Sequence, residues 1–241
     1  YYAVSSGTAT GRTRHLPVTS AMIAHFRRAG ALSSLFYTSR TGHARVFRGR
    51  HLILGGSTSL DPIQESRPFM ALAGDMSGIV APPLPGWVAT HLYEPGRVIA
   101  RITNWSEKID AIVERTWNRD ITLIAGIPNW VLELAAQLLS RIDTGAGDLR
   151  NLQALWPNLE CLVHGGVPIG PFTEPLRAAL GPTVNFHEVY PASVGFIAAQ
   201  DSDEAHGLRL SSDAGIFYEF LPLRDYRENS LPELGAKAVP L

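Results

Sequence analysis

Ile121-Thr122-Leu123-Ile124-Ala125-Gly126-Ile127-Pro128-Asn129-Trp130 carries the chain from a short apolar run, through a glycine–proline turn, into a helical pattern. Five apolar and β-branched residues bounded by turn residues read as a buried strand. After the turn, Trp130, Val131, Leu134, Ala135, Leu138 and Leu139 recur at helical spacing on one apolar face.

The same alternation extends in both directions. Upstream, Ile109, Ile112 and Val113 space as an amphipathic helix that begins near Trp105. Downstream, a strand over Leu159 to Val163 feeds the turn His164-Gly165-Gly166-Val167-Pro168. A helix over about Thr173 to Leu180 follows, then Gly181-Pro182 and a strand over Val184 to Tyr190. Helices alternating with buried strands predict an α/β fold, a mainly parallel sheet with helical crossovers. Beyond Gly195 the spacing shortens. Leu208-Arg209-Leu210 and Ile216 to Leu221 read as an antiparallel strand pair.

Towards the N-terminus, Ser20 reads as the N-cap of a helix carrying Met22, Ile23 and Phe26, with Gly30 as its stop. Val46 to Leu54 reads as strand, closing on Gly55-Gly56. The proline- and glycine-rich segment from Ala81 to Gly96 reads as a surface connection. In open α/β sheets, ligands collect outside the carboxyl ends of the strands. Two turns are expected there, His164-Gly165-Gly166 and Tyr190-Pro191-Ala192-Ser193. Paired glycines admit a flat group to the backbone, Tyr190 can stack on a base, and Ser193 can reach a phosphate oxygen. An ordinary tight turn accounts for each alone.

The opening stretch Ser5-Ser6-Gly7-Thr8-Ala9-Thr10-Gly11-Arg12-Thr13-Arg14 concentrates hydroxyls, glycines and guanidinium groups. That set suits a phosphate chain, and a polar hairpin loop fits it as well. A Walker loop does not fit. Three residues separate Gly7 from Gly11, Arg12-Thr13 follows, and Pro17 falls where the first helical turns would run. A strand–loop–strand path is expected instead.

Composition narrows the classes of partner. A net charge of −1 and a pI near 6.8 over 241 residues give no electrostatic footprint for nucleic acid or an anionic membrane. The cluster Arg40, His43, Arg45, Arg48, Arg50 and His51 reads as a solvated hairpin face. Cys161, the single cysteine, precludes an internal disulfide and reads as a buried thiol. No apolar stretch approaches the ~20 residues of a membrane span, and no signal peptide is visible, so a cytoplasmic protein is expected. The start at Tyr1 and the end at Leu241 suggest an excerpt of a longer protein.

Taken together, these motifs resemble the adenylate-forming enzymes, and more narrowly the auxin-responsive Gretchen Hagen three family of acyl-acid amido synthetases, in its bacterial branch. Ser5, Ser6, Gly7, Thr8, Gly11 and Arg14 match the family's first motif, with arginine where lysine is commoner. Gly126-Ile127-Pro128-Asn129-Trp130 resembles its Gly-Ile/Val-Pro-Ser-Trp turn. His164-Gly165-Gly166 resembles its adenine-side turn, and Phe217 to Pro222 its Phe-Tyr/Phe-Glu-Phe-Ile/Leu-Pro strand. The resemblance implies a ligase that uses ATP and Mg2+ to adenylate a small carboxylic acid and then joins it to an amino acid. It implies ATP contacts from Ser5, Ser6, Gly7, Thr8, Gly11, Arg14, Gly166, Tyr190, Ala192 and Ser193, and an acyl-site wall from Trp130. Residues 1–241 would form part of the large N-terminal ATP- and acyl-binding domain, without the C-terminal domain and its catalytic lysine.

One departure is chemical. The family's Tyr-x-Ala/Ser-Ser-Glu-Gly motif reads Tyr190-Pro191-Ala192-Ser193-Val194-Gly195 here, so the carboxylate that helps hold magnesium is replaced by Val194. Valine offers no oxygen to a hard cation. A non-catalytic nucleotide-binding remnant and an acyl-transfer enzyme using coenzyme A are the competing readings.

Overall fold

The strand at the centre of the sequence argument forms between two layers of helices. A computed structural model describes residues 1–6, 13–63, 70–81, 86–142, 150–203, 207–223 and 238–240. In chain order the strands are β1 (Tyr2–Ser6), β2 (Thr13–Pro17), β3 (Arg50–Ile53), β4 (Asp61–Ile63), β5 (Ala71–Gly74), β6 (Tyr93–Glu94), β7 (Ile121–Ala125), β8 (Cys161–His164), β9 (Asn185–Ala192), β10 (Gly195–Ala199), β11 (Arg209–Leu210), β12 (Glu219–Phe220) and β13 (Val239–Pro240). The helices are α1 (Ser20–Thr41), α2 (Met76–Val80), α3 (Gly86–His91), α4 (Arg97–Ala100), α5 (Trp105–Thr116), α6 (Pro128–Ile142), α7 (Leu152–Leu155) and α8 (Thr173–Leu180).

Among the described residues the main sheet has the order β11-β10-β9-β8-β7-β3-β6. Neighbours from β9 to β6 are parallel, and β10 and β11 extend the edge antiparallel. This is the α/β architecture read from the alternation of helices and strands. The two-residue period of β8 shows why both faces are covered. Leu162 enters the cluster built by α5, α6, α7 and α8, while Cys161 and Val163 enter clusters under α1. On α6, Val131, Leu134, Ala135 and Leu138 are fully buried at helical spacing. Each such leucine contributes roughly 1.5–3 kcal/mol of burial.

A second sheet, ordered β2-β1-β5-β4, carries the opening hairpin. β1 and β2 pair antiparallel with Ser6 opposite Thr13, the strand–loop–strand path expected for this stretch.

Six local expectations are corrected. The strand expected over Val46 to Leu54 is confined to β3, its start being a 3-10 turn. The expected surface connection from Ala81 to Gly96 carries α3 and the buried β6, which pairs with β3. Helix α1 takes Thr19 as its N-cap, the Thr19 hydroxyl accepting from the Met22 N–H, and runs through Gly30 to a left-handed Gly42. Its stripe His25, Ala29, Ser33 and Tyr37 is buried against the sheet on both sides of Gly30. That packing outweighs the ~1 kcal/mol cost of a mid-helix glycine.

The basic cluster is not a hairpin face. It spans the end of α1, a single 3-10 turn (Arg45–Arg48) and β3. Arg40 is buried on Asp203 and the Phe186 carbonyl, Arg45 meets Glu160 at 3.1 Å, and Arg50 meets Glu94 at 2.9 Å.

Leu208 to Leu210 does not pair with residues 216–221. β11 adds to β10, whose outer edge is open, and β12 pairs with β13. Finally, Tyr190-Pro191-Ala192 is not a turn. β9 continues through Ala192, and only Ser193-Val194 turns the chain into β10.

Candidate active site

The carboxyl ends of the parallel strands carry a row of glycines. β3 runs out into Gly55-Gly56, β6 towards Gly96, β7 into Gly126 and β8 into Gly165-Gly166. A Cβ on Gly165 would strike the Val189 carbonyl, so this residue packs β8 against β9. Gly166, at φ +82°, adopts a left-handed conformation that side chains resist, and its exposed backbone has only Ile127 near it. Tyr190, in β9 two residues past the end of its pairing with β8, is 53% exposed, so an open glycine and an aromatic ring both follow that pairing.

The β9–β10 hairpin is pinned from below. His25 on α1 accepts the Phe196 N–H at its Nε2, 2.9 Å away, and donates from Nδ1 to the Ala214 carbonyl at 2.9 Å. Both ring nitrogens are used, which fixes the tautomer. Ser193 is half-buried and Val194, at the tip, is 55% exposed.

Between this hairpin and helices α2 and α3 lies a cavity of about 550 Å3. Its size is that of a ligand pocket. Leu52 of β3 and Leu54 just after it face the α5–α6 core, which leaves His51 and Ile53 on the opposite face. There they line the cavity together with Tyr93 of β6. Phe26 of α1 and Met76 of α2 form further wall, and Ala192 and Ser193 complete it. Phe26 and Met76 also pack in the apolar cluster under β1 and β2. The opening hairpin and the cavity therefore rest on the same side chains.

The turn after β3 is held by a buried cation. Lys108 of α5 donates to the carbonyls of Gly55 (3.0 Å), Gly56 (2.9 Å) and Ala100 (3.3 Å). Burial lowers its pKa, while Asp75 nearby opposes that shift. The Gly56 N–H donates to the Ser77 hydroxyl, which donates to Asp75 at 2.6 Å. Ser77 and Asp75 also line the cavity, so the clamp shapes its wall. At the end of β8, His164 is buried, and its Nδ1 has no hydrogen-bond partner among the described residues. Burial lowers its pKa to about 4, so the ring is neutral near pH 7.

Ser5 and Arg14 sit opposite each other in the β1–β2 register, and Arg14 is exposed. For Ser6 only the backbone path is described. Gly7, Thr8 and Gly11 lie outside the described residues. Trp130 stacks on Trp105 at 4.4 Å and is not among the residues lining the cavity.

Sequence reasoning passed over His51, Tyr93 and Met76 as lining residues. Of the strand expected over Val46 to Leu54 only Arg50–Ile53 forms, and the alternation of Leu52 and Leu54 with His51 and Ile53 was the available signal. Tyr93 and Met76 sit in short elements whose burial depends on neighbours distant in sequence.

Crossover helices on one face, α1 on the other, and an apolar cavity beside a glycine-lined carboxyl edge define an α/β domain with a candidate small-molecule site. The chain belongs to the GH3 family: the model of the GH3 family N-terminal domain matches residues 1–184. Among solved structures, a GH3.15 acyl acid amido synthetase is similar over 91% of this chain and 44% of its own, at 15% identity and a TM-score of 0.52. A structure of AtGH3.15 acyl acid amido synthetase in complex with 2,4-DB covers 92% of this chain and 45% of its own, at 14% identity and a TM-score of 0.48. At 15% identity the first of these likenesses speaks for the fold alone. The chain spans less than half the length of these solved relatives. No curated protein matches it in sequence.

Proposed function

We propose that this chain forms the nucleotide- and acyl-binding part of an ATP-dependent acyl-acid amido synthetase. The observation that carries the reading is the Ser193 turn on the wall of the apolar cavity, at the carboxyl edge of a sheet whose β8 runs out into Gly165-Gly166. A carboxylate is a poor electrophile, and ATP would supply its activation as an acyl-adenylate with loss of pyrophosphate. An amino-acid amine would then displace AMP to give the amide.

The residues' part in this is positioning. Gly166 presents bare backbone to a flat base, and Tyr190 offers a ring to stack on it. Ser193 stands where the hairpin turn meets the cavity and would orient an α-phosphate against an acid lying inside. Ala192 contributes the apolar rim. Ser5, Ser6, Gly7, Thr8, Gly11 and Arg14 would hold the distal phosphates, arginine through charge-assisted bonds. Trp130, stacked on Trp105, would act on the acyl site through helix α6 rather than as cavity wall.

Magnesium fits less well. Val194 brings no oxygen to the hairpin tip, and among the described residues no group of three or more His, Cys, Asp or Glu side chains is placed to hold an ion. No step is assigned to the metal. This favours, as a second reading, a nucleotide-binding domain that does not catalyse adenylation.

The test is calorimetric titration of ATP into the 241-residue chain. Thr8→Val and Arg14→Ala should each weaken binding, the arginine by roughly 1.5–3 kcal/mol for one charge-assisted contact. Unchanged affinity in both variants would remove the opening loop from the nucleotide site.

A further inference from the structure

Two polar side chains on the cavity wall each keep one polar atom with no hydrogen-bond partner among the described residues. His51 and Tyr93 are register partners on the parallel strands β3 and β6, so their Cα atoms lie about 5 Å apart and their side chains share one face of the sheet. The His51 Nε2–H donates to the Val46 carbonyl at 2.8 Å. This leaves Nδ1 as an acceptor, with no hydrogen bond among the described residues. Burial lowers the ring's pKa and keeps it neutral. Tyr93 is only 8% exposed, and its hydroxyl makes no hydrogen bond among the described residues. Burial is the first cause holding that phenol protonated. Neither atom is among the fully buried ones, so an acceptor and a donor on adjacent strands open on the apolar wall, where one ligand group can satisfy both.

A hydroxyl does so: it donates to Nδ1 and accepts from the phenol. We propose that the cavity takes a carboxylic acid whose apolar body bears a hydroxyl at the end remote from the carboxylate, read by His51 and Tyr93 together. The inference rests on the proposed function, in which the carboxylate lies at the Ser193 turn. In the sheet order β9-β8-β7-β3, three strand spacings separate that hairpin from His51, roughly 14 Å. That span suits a medium-chain ω-hydroxy acid better than a single-ring one. A smaller recess of about 350 Å3, also bounded by Tyr93, carries Arg97 and Arg101. It supplies the competing prospect of a second carboxylate in place of the hydroxyl.

The experiment titrates decanoate, ω-hydroxydecanoate and decanedioate into the 241-residue chain with ATP present, and ATP alone in parallel. ω-Hydroxydecanoate should bind at least about tenfold more tightly than decanoate. Tyr93→Phe removes only the hydroxyl. His51→Gln keeps a donor for Val46 and has no atom at Nδ1. Each should bring the two acids to within about twofold. The ratio is taken within each protein, so a partly unfolded variant does not distort it. Equal affinities in the parent, a ratio that survives both substitutions, tighter binding of decanedioate, or no binding of any acid would each overturn the inference. Those results with ATP binding intact leave the nucleotide reading standing, whereas loss of ATP binding itself counts against the proposed function.

Discussion

His164 and His187 are buried and uncharged in the sheet, and each has an Nδ1 with no hydrogen-bond partner among the described residues. Burial lowers both from 6.5 to about 4, with Arg40 adding to the effect on His187. The sign follows from linkage. Between pH 6.5 and about 4 the unfolded chain binds protons that the native state refuses, so stability falls as pH falls through that window. The loss is at most about 3 kcal/mol for each histidine. Urea midpoints at pH 7.5, 5.5 and 4.5 should therefore decline. His187→Gln, which keeps an amide for the Ser33 hydroxyl seen at 2.9 Å, should flatten the decline. A midpoint that does not move with pH would show that these rings protonate without cost. Both histidines were in plain sight in the sequence. Their burial was not, because His187 is covered by α1 and His164, on the opposite face, by Phe186 beside the α5–α8 core.

At the scale of elements, α5 does two jobs. Its apolar face, Ile109, Ile112 and Val113, was legible from spacing and is buried as that spacing requires. Its lysine was not, since a Lys108 in an amphipathic pattern belongs by default to the wet face. Lys108 instead reaches back over the helix N-terminus, where the turn after β3 and the end of α4 present three carbonyls. Lys108→Met would leave those acceptors unpaired in a buried site. The expected net loss is roughly 1–3 kcal/mol, measured as a lower denaturant midpoint at unchanged slope. A midpoint equal to the parent's would mean that water replaces the ammonium at no cost, and that the clamp does not shape the cavity wall.

For the molecule as a whole, the two sheets share the side chains that border the cavity, so a nucleotide gripped by the opening hairpin should stabilise the entire chain. Binding at a hundredfold above Kd adds about 2.7 kcal/mol. For a chain of this length that is a rise in Tm of roughly 5–10 °C. Thermal unfolding with and without ATP checks this, with Arg14→Ala as the control that should lose most of the shift. No shift at saturating ATP would mean that these residues do not assemble a nucleotide site by themselves.

What the sequence determined is the part of the protein governed by local periodicity. The helix–strand alternation from Trp105 to Tyr190 required a parallel sheet covered on both faces, because each apolar stripe needed a partner layer. The glycine turns lay at strand ends, and the opening stretch carried too many breakers and donors for a helix. What only the tertiary structure decided is everything that depends on which distant residues meet. The continuation of α1 through Gly30 came from packing on the sheet, and the dispersal of the basic cluster came from carboxylates and carbonyls brought in by other elements. The cavity formed because α1 covers β7 to β10 and leaves His51, Ile53 and Tyr93 bare. Spacing records what a residue's neighbours along the chain demand; the partners that neutralise, bury or expose a side chain come from across the fold.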